Sequence, residues 1–167
     1  MGDMTIAMRR ATNDDIDLLR CWEHADHVAP VIGTGPGWEW ETEINVDWQE
    51  VWVCEVDDSP IGVVILLDAA GEPCHYWDTE TERVSPTTYA IDIWIGVQDA
   101  IGHGYGTAMM QHAIARAFDV HGAQRVVIDP LVTNERAISF YRSLGFVEIG
   151  PRRFGNDDCL VLELWAD

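Results

Sequence analysis

The chain contains no lysine. Its ten basic residues are all arginine, against 29 aspartates and glutamates, and the formal net charge is −19 over 167 residues. So little positive charge excludes a nucleic-acid binder, whose partner's phosphates need a basic footprint. No run of about 18 apolar residues occurs, so no segment is expected to span a membrane. The cysteines (Cys21, Cys54, Cys74 and Cys159) are scattered without a Cys-x-x-Cys pair, and they read as reduced, mostly packed thiols of a cytoplasmic protein. The histidines show no metal-ligand spacing, so no metal is expected, and His24 and His27 are expected at the surface or facing a loop. The N-terminus lacks a signal-peptide apolar region, and Ile6 stands where a myristoylation motif needs serine or threonine. Repeats and low-complexity tails are absent. One domain over residues 1–167, large enough to bury its own core, is the economical reading.

The charge is unevenly spread. Residues 1–99 hold 21 acids and 4 arginines, whereas residues 100–167 hold 8 acids and 6 arginines. An acidic face concentrates a polycation and speeds its capture. The first stretch therefore suits a cationic small molecule, although solubility or a salty habitat would leave a similar composition.

What is present centres on residues 91–146. Residues 89–97 alternate with period two and predict a strand: Tyr89, Ile91, Ile93 and Ile95 on one face, Ala90, Asp92 and Trp94 on the other. A carboxylate in the middle of a central strand is costly to bury unpaired, which singles out Asp92. Next come Gly102, Gly104 and Gly106, separated by His103 and Tyr105. Helical spacing then begins, with Met109, Met110, Ala113, Ile114, Ala117 and Phe118. A strand, a glycine turn and a helix start align backbone N–H groups with a positive helix end, a site suited to phosphate; a tight packing turn is the plain alternative. A second strand over 125–129 ends in Asp129-Pro130. Asn134 then caps a short helix bearing Ala137, Phe140 and Tyr141, and Gly145 ends it before Phe146.

Elsewhere, 5–10 reads as a strand. Asn13, Asp14 and Asp15 open a helix bearing Ile16, Leu19 and Trp22 on one stripe. Gly33, Gly35 and Gly37 mark a mobile turn-rich segment. Trp38, Glu39, Trp40 and Glu41 follow, and they suit either a lid over a cationic ring-shaped ligand or an element docked through its tryptophans. Residues 51–57 and 61–68 form a hairpin across Asp58, Ser59 and Pro60. The long loop 69–87 holds Glu72, His75, Tyr76, Trp77, Asp78, Glu80 and Glu82, and loops of that length are usually functional or mobile. The tip at 152–158 precedes the last strand. The strand order implies a mixed, mostly antiparallel α/β sheet with helices on both faces, splayed open between the strands at 89–97 and 125–129.

The glycine turn together with Asn134, Ala137, Phe140, Tyr141, Gly145 and Phe146 resembles the GCN5-related N-acetyltransferase (GNAT) superfamily, and within it the aminoglycoside 6'-N-acetyltransferases. Ile101 stands where most of the superfamily carries Gln or Arg; the aminoglycoside branch accepts an aliphatic residue there. The resemblance implies the GNAT α+β fold, a sheet of about six or seven strands. It also implies acetyl-CoA as donor. The pyrophosphate would lie at Gly102, His103, Gly104, Tyr105, Gly106 and Thr107. The pantetheine arm would run along Trp94, Ile95, Gly96 and Val97, and past Asn134, Ala137 and Tyr141. On the acceptor side it implies Trp77, Asp78, Glu80, Asp92, Asp129 and Asp157 as contacts of a cationic amine.

Acyl transfer from thioester to amine requires a proton to leave an ammonium whose pKa is about 10. Asp92, alone or through water, is the candidate for that role, by binding the amine or by accepting its proton. A free backbone N–H over 94–97 could hold the oxyanion. Tyr141 could stabilise the departing thiolate. No serine or cysteine shows a paired histidine, so direct transfer in a ternary complex is expected. The acceptor stays open between an aminoglycoside 6'-amine, with antibiotic resistance as the outcome, and another amine (a hydroxylysine-type siderophore precursor, a polyamine, or a protein terminus or lysine). A non-catalytic acyl-CoA-binding module is the third reading. Either a monomer or a homodimer is compatible.

Overall fold

A computed structural model describes residues 5–167; the reading of the N-terminus as lacking a processing signal falls in part on residues 1–4, outside them. Seven strands form one sheet in the order β1-β2-β3-β4-β5-β7-β6. They are β1 (Ile6–Arg10), β2 (Gln49–Val56), β3 (Ser59–Asp68), β4 (Thr88–Ile95), β5 (Arg125–Ile128), β6 (Val147–Phe154) and β7 (Asp157–Trp165). Every neighbouring pair is antiparallel except β4 with β5, which is parallel. The sheet is therefore mixed and mostly antiparallel, as the strand order implied.

The helices are α1 (Ile16–Glu23), α2 (Trp40–Glu43), α3 (Tyr105–Ala115) and α4 (Glu135–Ser143), and they divide between the two faces. Met109, Met110 and Ala113 of α3 and Tyr141 of α4 pack in one core with Ile91, Val64 and Leu66 of the sheet. Leu19 and Trp22 of α1 pack with Trp40, Val63, Ile65 and Trp94 in the other. The alternation of β4 explains the division. Ile91 and its partners Ile93 and Ile95 face α3, while Trp94 faces α1.

Glu50 of β2 fixes the far end of α3. Arg116 donates to its carboxylate twice at 2.7 Å, Trp52 Nε1 at 2.9 Å, and His121 Nε2 lies 2.9 Å away. Burial alone would raise this carboxyl, but the donors outweigh it and hold Glu50 at about 2. The hairpin between β2 and β3 is tighter than the sequence suggested. Asp57 and Asp58 both take positive φ, 49° and 64°, as a two-residue turn matching strand twist requires, and Ser59 already belongs to β3.

The parallel ladder is short. β4 and β5 pair only at Thr88↔Arg125, Tyr89↔Val126 and Ala90↔Val127, after which they part. Beyond Ala90, β4 stays paired with β3 up to Ile95, and β5 with β7 up to Ile128. The sheet is open in its middle.

Candidate active site

A cavity of about 660 Å³ lies at the opening, bounded by β4, β5, α4, the loop 69–87, the segment 31–38 and the β6–β7 hairpin tip. Asp92, Asp129, Glu72 and Asp157 all line it, together with Asn134, Ala137 and Tyr141.

Backbone geometry decides which amides face the gap. Gly96 N–H and Val97 N–H both donate to the Ile61 carbonyl, at 2.8 and 3.2 Å. Alternation along an antiparallel ladder then turns the backbones of Trp94 and Asp92 toward β3, and those of Ile93 and Ile95 toward the gap. Of the four residues expected to offer a free N–H, only Ile95 aims one into the opening; Ile93, one step earlier in the alternation, is the other. The Ile95 carbonyl, on the same side, accepts from His27 Nε2 at 2.8 Å. Gly96 answers a packing demand, since a Cβ there would lie 2.1 Å from the Trp22 ring. The Trp94 ring packs against Trp38, centroids 4.9 Å apart, on the α1 face.

The glycine turn is shaped as the sequence suggested. Gly102 and Gly104 take φ of +85° and +83°, and a Cβ built at either meets nothing within 4 Å. Gly104 caps α3 in the left-handed conformation. His103 leans back, its Nε2 3.1 Å from the Asp99 carbonyl. A left-handed, open-faced turn at the start of an eleven-residue helix can cradle a phosphate with backbone amides. Together with the gap beside it, this fits an extended pantetheine diphosphate. Asn134 accepts the Ala137 N–H at 3.2 Å, and this side-chain cap fixes the start of α4 that borders the gap.

Asp92 is enclosed by protein except where it meets the cavity. Burial, then the charges of Asp129 and Glu72, push its carboxyl up to about 7. Burial also raises Asp129, to about 6, against the opposing pull of the Tyr76 hydroxyl, which donates to it at 2.6 Å, and of Arg152. Arg152 is committed elsewhere: its guanidinium donates to the carbonyls of Trp77, Tyr76 and Asp78 at 3.1, 3.3 and 2.6 Å and lies over the Phe154 ring. The Tyr141 phenol is raised well above its ordinary value by burial first, then by Asp92 and Asp129. It therefore stays protonated and keeps a hydrogen to donate.

The acidic loop contributes differently from expectation. Trp77 lines the cavity, its ring edge-on to Phe154 at 5.4 Å. Asp78 and Glu80 do not line it. Asp78 accepts the Val84 N–H at 2.9 Å and faces Arg83 and His75, so it shapes the loop, and Glu80 is exposed. Glu72 and Tyr76 take their place at the wall. Glu72 is buried and accepts the Tyr76 N–H at 2.5 Å and the Cys74 thiol at 2.7 Å. Nothing in the spacing of the loop's acids marks Glu72 over Glu80; only the turn at 72–76 brings it inward. Trp40 is fully buried and donates to Glu23 at 2.9 Å, so it docks its segment, whereas Trp38 lines the cavity.

An open sheet, a left-handed glycine turn at a helix start and an anionic chamber suit an acyltransferase, and the family model for the GNAT acetyltransferase domain matches residues 11–154. The chain belongs to the GNAT acetyltransferase family. Its relatives include aminoglycoside N(6')-acetyltransferase type 1 of Klebsiella pneumoniae, 23% identical over 155 residues, spanning 87% of this chain and 76% of that one. Among solved structures, the aminoglycoside acetyltransferase AAC(6')-Ib in complex with coenzyme A and kanamycin superposes with a TM-score of 0.82 at 20% identity, over 96% of this chain and 95% of that one. A spermidine N-acetyltransferase chimera from Vibrio cholerae reaches 0.73 at 16% identity, over 96% and 95%. At these identities the structural likeness establishes the fold.

Proposed function

We propose that this protein transfers an acetyl group from acetyl-CoA to a primary amine of a polycationic small molecule, the 6'-amine of an aminoglycoside above all, with antibiotic resistance as the outcome. The observation that carries this reading is the chamber beside the gap. Asp92, Asp129 and Glu72 share it, and the nearest guanidinium, Arg152, is spent on backbone carbonyls. A cavity whose carboxylates Asp92, Asp129 and Glu72 have no ion-pair partner among the described residues favours a ligand that brings its own positive charges.

Acetyl-CoA supplies the activated acyl group, with Gly102, Gly104 and the start of α3 holding its phosphates and Asn134, Ala137 and Tyr141 beside its arm. Asp92 binds the acceptor ammonium and takes its proton. At about 7 its carboxyl falls short of an alkylammonium by about 3 units, roughly 4 kcal/mol uphill, where an ordinary carboxylate would fall short by about 6. Asp129 and Glu72 hold the acceptor's other charges. The amides of Ile93 and Ile95 face the side where negative charge develops on the carbonyl oxygen. Tyr141 donates a hydrogen bond to the departing sulfur. Burial pushes the thiols of Cys74 and Cys159, which also line the cavity, up to about 11 and about 12. They remain protonated, consistent with direct transfer and no acetyl-enzyme.

The test is an acceptor screen by release of free thiol with kanamycin, tobramycin, spermidine and a basic peptide. Turnover of the aminoglycosides supports the reading. If only spermidine or the peptide turns over, the aminoglycoside assignment falls and another amine takes its place. If none turns over while acetyl-CoA binds, the chain is a binding module.

A further inference from the structure

Asp157 is expected to grip substrate, yet the chain itself already supplies it with donors. Its Oδ2 accepts the Thr34 backbone N–H at 2.8 Å, and its Oδ1 accepts the Thr34 hydroxyl at 2.8 Å. The segment that reaches it is built for the contact. Gly33 takes φ of +91°, and a Cβ there would lie 2.7 Å from Asp157 Oδ2. Only a glycine in the left-handed conformation lets the carboxylate approach that closely. The two partners come from separate parts of the chain, the β6–β7 hairpin and the segment between α1 and α2, and both line the cavity. The bonds between them tie these two cavity-lining segments together. The same segment is anchored at its ends, by His27 on the Ile95 carbonyl, by Ile32 against the α1-side core and by Trp38 on the Trp94 ring, and among the described residues Asp157 makes the hydrogen bonds that hold 33–37.

We propose that Thr34 is a specificity-determining residue: it occupies Asp157 with two neutral donors until an acceptor long enough to reach the hairpin presents an ammonium there and takes the carboxylate over. The proposal rests on the acceptor side of the reading above. Thr34 brings only neutral donors to the carboxylate, whereas an ammonium adds direct charge–charge attraction to its hydrogen bond, so a polycation displaces Thr34 where a small monoamine, held only near Asp92, does not reach. Thr34 thereby sets a threshold on acceptor size and charge. Thr34→Val removes the hydroxyl bond and keeps the backbone one; Asp157→Asn keeps the shape and removes the charge.

Calorimetry with kanamycin, with propylamine and with acetyl-CoA reads the exchange without turnover. Thr34→Val is expected to bind kanamycin roughly fivefold tighter, because one competing hydrogen bond is gone. Asp157→Asn is expected to bind it at least that much more weakly. Neither variant should shift the affinity for propylamine or acetyl-CoA. Unchanged or weakened kanamycin binding by Thr34→Val overturns the proposal. Should kanamycin fail to bind the wild-type protein at all, the aminoglycoside reading fails, and the latch is judged on its own by thermolysin cleavage of the unliganded chain. Cutting within 31–38 several-fold faster in both variants supports it, and equal rates overturn it.

Discussion

At the scale of single residues, the proposed chemistry turns on one carboxylate placed where a hydrophobic side chain would be more stable. Asp92 sits in mid-strand opposite Ile65, and its carboxyl is raised to about 7 by burial and by Asp129 and Glu72. Asp92→Asn is expected to lower turnover by about 10²-fold or more, with acetyl-CoA affinity unchanged by calorimetry. In the wild-type enzyme kcat/KM should rise with pH through about 7, as Asp92 loses its proton and can accept one; the variant should lack that limb. The same shift has a stability side. A carboxyl raised on folding favours the folded state below its unfolded pKa, and that advantage is lost as pH rises through the folded value. At pH 8 the buried charge is a cost of up to about 4 kcal/mol, so Asp92→Asn should raise Tm there, with the gain shrinking toward pH 4. Equal melting curves at both pH values would contradict the assignment. The place of Asp92 in mid-strand at the cavity wall was legible because an acid interrupting a period-two apolar run stands out against its neighbours. That of Glu72, which lines the same cavity, was not, because its inward turn depends on tertiary contacts its neighbours do not encode.

At the scale of elements, the decisive feature is the ladder between β4 and β5 that ends at Ala90↔Val127. It leaves the amides of Ile93 and Ile95 facing the gap. Their hydrogen exchange should be fast in the free protein and slow by at least tenfold with saturating coenzyme A, while Trp94, turned toward β3, should be protected in both. Alternation in 89–97 fixed the faces of β4 in advance, and the glycine turn with its following helix lay where the sequence placed it. The faces were readable because burial on both sides of a central strand selects residues by parity. Which amides stay free was not, since that depends on where the neighbouring strand turns away. The hairpin at Asp57 and Asp58 was displaced for a related reason: aspartates tolerate positive φ, which allowed the turn to form without Ser59 and Pro60.

For the whole molecule, the balance of −19 sets how partners arrive. Long-range attraction of a polycation is screened by salt, whereas carboxylates inside a chamber are screened less. For kanamycin, kcat/KM should therefore fall several-fold between 20 mM and 500 mM sodium chloride, mainly through KM. An acceptor KM indifferent to salt would show that the surface acids do not steer it. The KM for acetyl-CoA, itself anionic, should not rise in parallel.

Three residue pairs are all that join β4 to β5, so the central seam of the sheet is left unfinished by the polypeptide alone. A donor threaded into that seam would act as mortar as well as reagent, supplying the contacts a longer β5 would have made. Melting of the protein should accordingly climb with the concentration of coenzyme A, by about 2.7 kcal/mol at a hundredfold excess over Kd. Copies short of donor would then be the first to unravel, which ties the lifetime of this catalyst to the supply of its own fuel.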